Sequence, residues 1–205
     1  MVVFHLRRGV ANMAETKIAN PGPLGLSGFA LTTFILSLVN AGILSAAHMG
    51  VVIGLAVAYG GIAQFAAGMW EFRSGNTFGA TAFSSYGAFW VSFAVLVIGV
   101  GITKDNAPDN MAVGYYLLAW GIFTGLMMIA SFRTNLATAA VFVLLTATFL
   151  VLAVGNFQNS TSIIGLGGYL GLATAIVAWY TALAGVLASV FGGKNILPVF
   201  ALSKA

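Results

Sequence analysis

The chain has no cysteine, only four Asp or Glu residues and two histidines, and just 6% of its 205 residues are charged. Without cysteine there can be no disulfide, thiolate metal site or cysteine nucleophile. The shortage of charge, set against 60% apolar residues and a mean hydropathy of +1.01, leaves too little polar surface to cover a globule in water. His5 and His48 fall in an arm and at a span boundary, so no histidine pair is placed to ligate haem or a metal, and no cofactor is expected. No Asp, Glu, Lys, Arg or His lies well inside the long apolar runs. That disfavours membrane-buried proton relays and arginine-ladder voltage sensors, and it makes an enzyme hard to build. The basic balance reflects topology: no basic cluster with interleaved aromatics exists to suggest a nucleic-acid partner.

What the chain does have is apolar runs of helix length. A helix needs about 20 apolar residues to cross the hydrocarbon of a bilayer, and six segments qualify: 26–44, 51–70, 81–101, 111–132, 136–154 and about 163–191. Continuous rather than alternating apolarity favours a helical bundle over a barrel. The fold class expected is all-α, a polytopic membrane protein with six transmembrane helices. The sixth segment is overlong, and Gly165, Gly167 and Gly168 place the expected start of its helix near Tyr169. Seven of the eight basic residues, Arg7, Arg8, Lys17, Arg73, Arg133, Lys194 and Lys204, fall in the N-terminal arm, alternate connections and the C-terminal tail. Lys104 alone falls on the other side, with Asp105 and Asp109, so the positive-inside rule puts both termini in the cytoplasm of a cell or inner membrane. The domain division expected is a cytoplasmic arm at 1–19, a six-helix permease domain at 20–191 and a cytoplasmic tail at 192–205.

Glycine supplies 26 residues, about twice its usual share. Gly54 with Ala58, Gly121 with Gly125, and Gly167 with Gly171 and Ala175 recur at helical spacing, which allows close approach of neighbouring backbones. The spans also carry uncharged polar groups, including Thr32, Thr33, Asn40, Gln64, Ser85 and Tyr86. Such groups either bond to their own helix or offer neutral donors and acceptors to a small polar solute. Asn40 and Gln64 are the stronger functional candidates, because a buried amide demands several partners. Glu71, two residues before Arg73, is the candidate for proton coupling, with an interfacial anchor as its other reading. In Asn20-Pro21-Gly22-Pro23-Leu24-Gly25-Leu26 the prolines are expected to exclude helix and to shape an access turn before the first span.

Several blocks in order resemble the acetate uptake transporter family, the bacterial succinate/acetate permeases and their archaeal and fungal relatives. They are Asn20-Pro21-Gly22-Pro23-Leu24-Gly25-Leu26, Gly28-Phe29 with Thr32-Thr33, Tyr59-Gly60-Gly61-Ile62-Ala63-Gln64 and Gly75-Asn76-Thr77-Phe78-Gly79. Thr81-Ala82-Phe83-Ser84-Ser85-Tyr86-Gly87, Trp120-Gly121-Ile122-Phe123-Thr124 and Gly155-Asn156 continue the match, which runs from about Asn20 to the end of the sixth span. Gly22 stands where the family commonly has Ala. The resemblance implies a six-helix protomer in a homohexamer, with one pathway per protomer and an architecture similar to acid-activated urea channels. It implies passage of acetate and, in some members, succinate or other short carboxylates. It also implies a mid-membrane constriction at Phe29, Tyr86 and Leu145, and a polar pathway drawn from Thr32, Thr33, Asn40, Gln64, Asn76, Thr77, Ser85, Trp120 and Asn156. Two alternatives remain at the level of sequence: a channel for small neutral solutes such as urea or ammonia, and a structural membrane protein whose small-residue faces serve assembly.

Overall fold

A computed structural model of the chain describes residues 18–99 and 108–202. Arg7, Arg8, Lys17, Lys104, Asp105 and Lys204, on which much of the orientation argument rests, lie outside them, as does His5. Among the described residues, six helical segments are long and apolar enough to cross a membrane. They are α1 (Gly22–Asn40), a broken second segment, α4 (Thr77–Ile98), α5 (Asn110–Ser131), α6 (Leu136–Phe157) and α7 (Thr161–Val190). The second is α2 (Met49–Val57) and α3 (Gln64–Arg73), joined through a π-helical stretch at Ala58–Ala63. Such a stretch inserts residues into the regular ladder.

The helix starts follow their capping chemistry. Asn76 accepts from the Gly79 N–H at 3.1 Å, Asp109 from Ala112 at 2.8 Å and Asn135 from Thr138 at 2.9 Å. α4 ends on Gly99 at φ 68°, a left-handed position suited to glycine. The proline motif departs from expectation: helix begins inside it, at Gly22. Pro21 is the N-cap and Pro23 lies in the first turn, where a missing N–H removes no intrahelical bond. Asn20 closes the turn, its Oδ1 accepting from the Gly22 N–H at 2.9 Å. The first span ends at Asn40, not residue 44, and the sixth begins at Thr161, well before Tyr169. Gly165, Gly167 and Gly168 are therefore helical; a side chain at Gly168 would strike the Ala41 backbone, so glycine here serves the crossing of α7 over the end of α1.

The bundle closes as a ring. α1 packs on α7, α7 on α6 and α6 on α5, while α2 and α3 pack on α4 and α1. α4 and α5 meet through large side chains, with Tyr86 and Phe123 ring centroids 5.7 Å apart and Phe89 and Trp120 5.1 Å apart. Gly121 against Leu150 and Gly167 against Leu152 confirm the small-residue packing expected of those positions. Gly54 does not follow: it faces open space within the chain, because α2 turns that side away from its neighbours.

Candidate functional site

Inside the ring lie two cavities, one toward each end. The first, about 330 Å³, opens at the end that carries Asn20, the α3–α4 turn and the α5–α6 turn. It is bordered by Asn20, Pro23, Gln64, Glu71, Asn76 and Asn135, among others. The second, about 290 Å³, opens at the opposite end and is bordered by Thr33, Ser37, Asn40, Tyr116, Thr148 and Asn156, with apolar side chains between them. Phe29 and Leu145 border both cavities, and Tyr86 borders the first. All three are buried, with 3–4% of their surfaces exposed.

These three come from α1, α4 and α6, and their positions have local causes. Phe29 and Tyr86 pack with ring centroids 5.9 Å apart. Tyr86 is held further by Phe142 at 6.2 Å and by Trp120 at 6.2 Å. Its hydroxyl donates to Thr124 Oγ1 at 3.0 Å, and Thr124 donates onward to the Trp120 carbonyl at 2.7 Å. Its partner is thus a hydroxyl on α5 and not a helix carbonyl, so the ring is tied between two helices that meet chiefly through large side chains. A Cβ added at Gly28 would lie 2.6 Å from the Tyr59 carbonyl in the π-helical stretch. That absence of a side chain lets α1 sit close against the broken span and sets the depth of Phe29.

Glu71, the candidate for proton coupling, lies at the end of α3 beside the α4 cap. It is 3% exposed, and its Oε2 accepts from Asn76 Nδ2 at 2.8 Å and from Ser74 Oγ at 3.3 Å. Asn76 therefore caps α4 with its oxygen and holds the carboxylate with its nitrogen. Among the described residues, no Asp, Lys, Arg or His borders either cavity, so Glu71 is their sole charged side chain. No cluster of three or more His, Cys, Asp or Glu capable of holding a metal is found among the described residues.

The polar residues singled out by sequence divide. Asn20, Pro23, Gln64 and Asn76 meet at the first cavity, Thr33, Asn40 and Asn156 at the second. Gln64 Oε1 and Thr33 Oγ1 are buried without a hydrogen-bond partner among the described residues. Pro21, Thr32, Thr77, Ser85 and Trp120 border neither cavity. Thr32 is fully buried and donates to the Gly28 carbonyl at 2.9 Å, Thr77 is exposed at the start of α4, and Trp120 packs behind Tyr86. Sequence reasoning missed Phe142, Thr138 and Asn135 at the first cavity. The Asn before Leu136 was a readable capping signal, but nothing local showed that it faced a cavity.

A ring of six membrane-length helical segments enclosing two end-to-end cavities is the architecture of a small-solute membrane channel or carrier. The chain belongs to the GPR1/FUN34/yaaH family, which matches residues 4–199 and so extends past both limits of the motif blocks. It is 45% identical over 185 residues to acetate permease A of Emericella nidulans, covering 83% of this chain and 62% of that protein. The chain thus spans under two thirds of that relative's length. It is 40% identical over 187 residues to the succinate-acetate/proton symporter SatP of Escherichia coli K12, covering 91% of this chain and 98% of the relative. Its fold matches the solved structure of the bacterial acetate channel SatP with a TM-score of 0.84 at 40% identity, over 89% of this chain and 99% of that one.

Proposed function

We propose that the protein carries acetate and related short carboxylates, succinate among them, across a cell membrane through a single pathway in each protomer. The observation that carries this reading is that Phe29 and Leu145 each border both cavities. With Tyr86 they form the constriction between two vestibules. Relatives named as acetate permease and succinate-acetate symporter support the choice of solute.

A lining of neutral donors and acceptors suits a small carboxylate, because it replaces part of the lost hydration without binding so tightly that the solute cannot leave. Gln64 serves in the first vestibule, Thr33, Asn40 and Asn156 in the second, and the apolar constriction excludes bulk. Glu71, buried at the first vestibule, is the group that takes up and releases a proton with the solute. The protein works as a homohexamer with both termini in the cytoplasm, which makes the first cavity the cytoplasmic vestibule. The packed Trp120 and Thr32 support the pathway from behind.

Counterflow of labelled acetate in proteoliposomes, at two pH values and with or without an imposed proton gradient, tests this reading. Acetate should exchange in both conditions and accumulate faster under an inward acid gradient. Passage of urea or ammonia without acetate would assign a neutral-solute channel, and no passage of any of them an assembly protein.

A further inference from the structure

Beyond α7 the chain turns back across the bundle. Gly192 and Gly193 take φ values of 67° and 86°, which reverse its direction at little steric cost. Its main chain then pairs with the α5–α6 turn. The Leu136 N–H donates to the Phe200 carbonyl at 2.8 Å, Ala137 to Val199 at 3.2 Å and Leu202 to Thr134 at 3.1 Å. The Tyr180 hydroxyl of α7 donates to the Pro198 carbonyl at 2.8 Å. Leu136 and Ala137 open α6, and N–H groups there have no acceptor in their own helix. The returning chain supplies two. Phe200 holds φ 52°, uncommon for a bulky residue, at the residue whose carbonyl Leu136 uses.

Along the segment, residues facing the cavity alternate with exposed ones. Asn195, Leu197 and Val199 border the first cavity, whereas Ile196 and Phe200 point away, 46% and 63% exposed. We infer that residues 192–202 form a fixed rim at the mouth of the first cavity, and that Leu197 and Val199 set the size of carboxylate admitted. The inference rests on the carboxylate pathway proposed above. Main-chain pairing with the α5–α6 turn, together with the Tyr180 hydroxyl bond from α7, makes this a rim and not a swinging lid.

The test is the initial rate of labelled succinate relative to acetate in proteoliposomes of the full chain. Leu197→Ala combined with Val199→Ala shortens both side chains and keeps every main-chain bond; it should raise the ratio about threefold or more. Leu197→Phe should lower it. A lock sharpens the result. Asn135 and Ala201 pair as an isolated antiparallel bridge flanked by the bonds at Leu136 and Leu202, the close, non-hydrogen-bonded type within disulfide reach. The chain has no cysteine of its own, so Asn135→Cys with Ala201→Cys creates a single cross-link. Acetate rates before and after its reduction should be indistinguishable. A ratio unchanged in both side-chain variants while acetate still crosses overturns the rim. Acetate passage that returns only on reduction overturns it too, by showing a lid that must move. If the unaltered chain carries no acetate, the proposed function fails, and that result is separate from either.

Discussion

The two cavities are nearly equal in size, about 330 and 290 Å³, yet they are built from different chemistry. The first brings together loop and helix-end groups: Asn20, Asn76 and Asn135 each accept a backbone N–H close by, and Asn76 also holds Glu71. The second is lined by helix side chains, and three of its polar groups are engaged by their own or a neighbouring helix, while Thr33 Oγ1 has no partner among the described residues. Thr148 donates to the Leu144 carbonyl at 2.8 Å, Asn156 to Leu152 at 2.8 Å and Tyr116 to Phe89 at 3.2 Å. A group already bonded to its helix offers a solute less than one left unmet. Under the proposed function the first cavity, which holds Glu71 and the unpartnered Gln64 Oε1, is where a solute is held and a proton exchanged, and the second is the weaker exit.

Glu71→Gln should break that contrast most completely, because it removes the charge and keeps the shape. Acceleration of acetate uptake by an acid gradient should vanish, while counterflow without a gradient persists. Uptake that still follows the gradient would move proton coupling elsewhere.

Phe29→Ala, Tyr86→Ala and Leu145→Ala come next, since they join the two spaces. If these side chains form the constriction, each variant should admit larger carboxylates at near-normal protein yield. If they only pack the core, the cavity left behind costs about 2–5 kcal/mol, and folded yield should fall with selectivity intact. Solute competition assays alongside detergent-solubilised yield separate the two.

A smaller effect compares one amide from each cavity. Gln64→Leu removes the buried oxygen that has no partner, and an unmet bond of this kind is worth about 1–3 kcal/mol. Acetate uptake at equal protein content should drop roughly tenfold, whereas Asn156→Leu, whose amide serves its own helix, should change it far less. Equal losses would erase the distinction between holding site and exit.

The smallest effect is on stability. Asn76→Ala and Ser160→Ala each delete a helix N-cap, at about 1 kcal/mol apiece, and should lower the unfolding temperature similarly. Only Asn76→Ala should also slow uptake, because only that cap touches Glu71.

Much of the fold was legible because span length is a local property. Six apolar runs became six membrane-length segments, with their ends shifted by a few residues wherever capping, not hydropathy, decides where a helix starts. The late start assigned to the sixth span failed because glycine was read as a breaker, while in a bundle it is also the residue that admits a crossing helix. The proline motif misled in a related way, since proline is excluded from helix interiors but not from first turns. At the site, Gln64, Asn20 and Asn76 border the first cavity as their chemistry suggested, but Thr77 and Ser85 do not.

The sequence alone determined the class of protein, the number of spans and the scarcity of charge within them. Each follows from composition and run length, which need no partner to be read. Which side of each helix faces inward was decided only by the tertiary structure. In a soluble protein the polar face would report it, but here the outward faces are as apolar as the inner ones, with Ile62 63%, Leu126 65% and Val190 73% exposed, because lipid demands what the core demands. The meeting of Phe29, Tyr86 and Leu145, the burial of Glu71 beneath Asn76 and the return of the C-terminal segment across the first cavity all depend on contacts between residues distant in sequence. No local pattern encodes such contacts; they exist only once the ring of helices has closed.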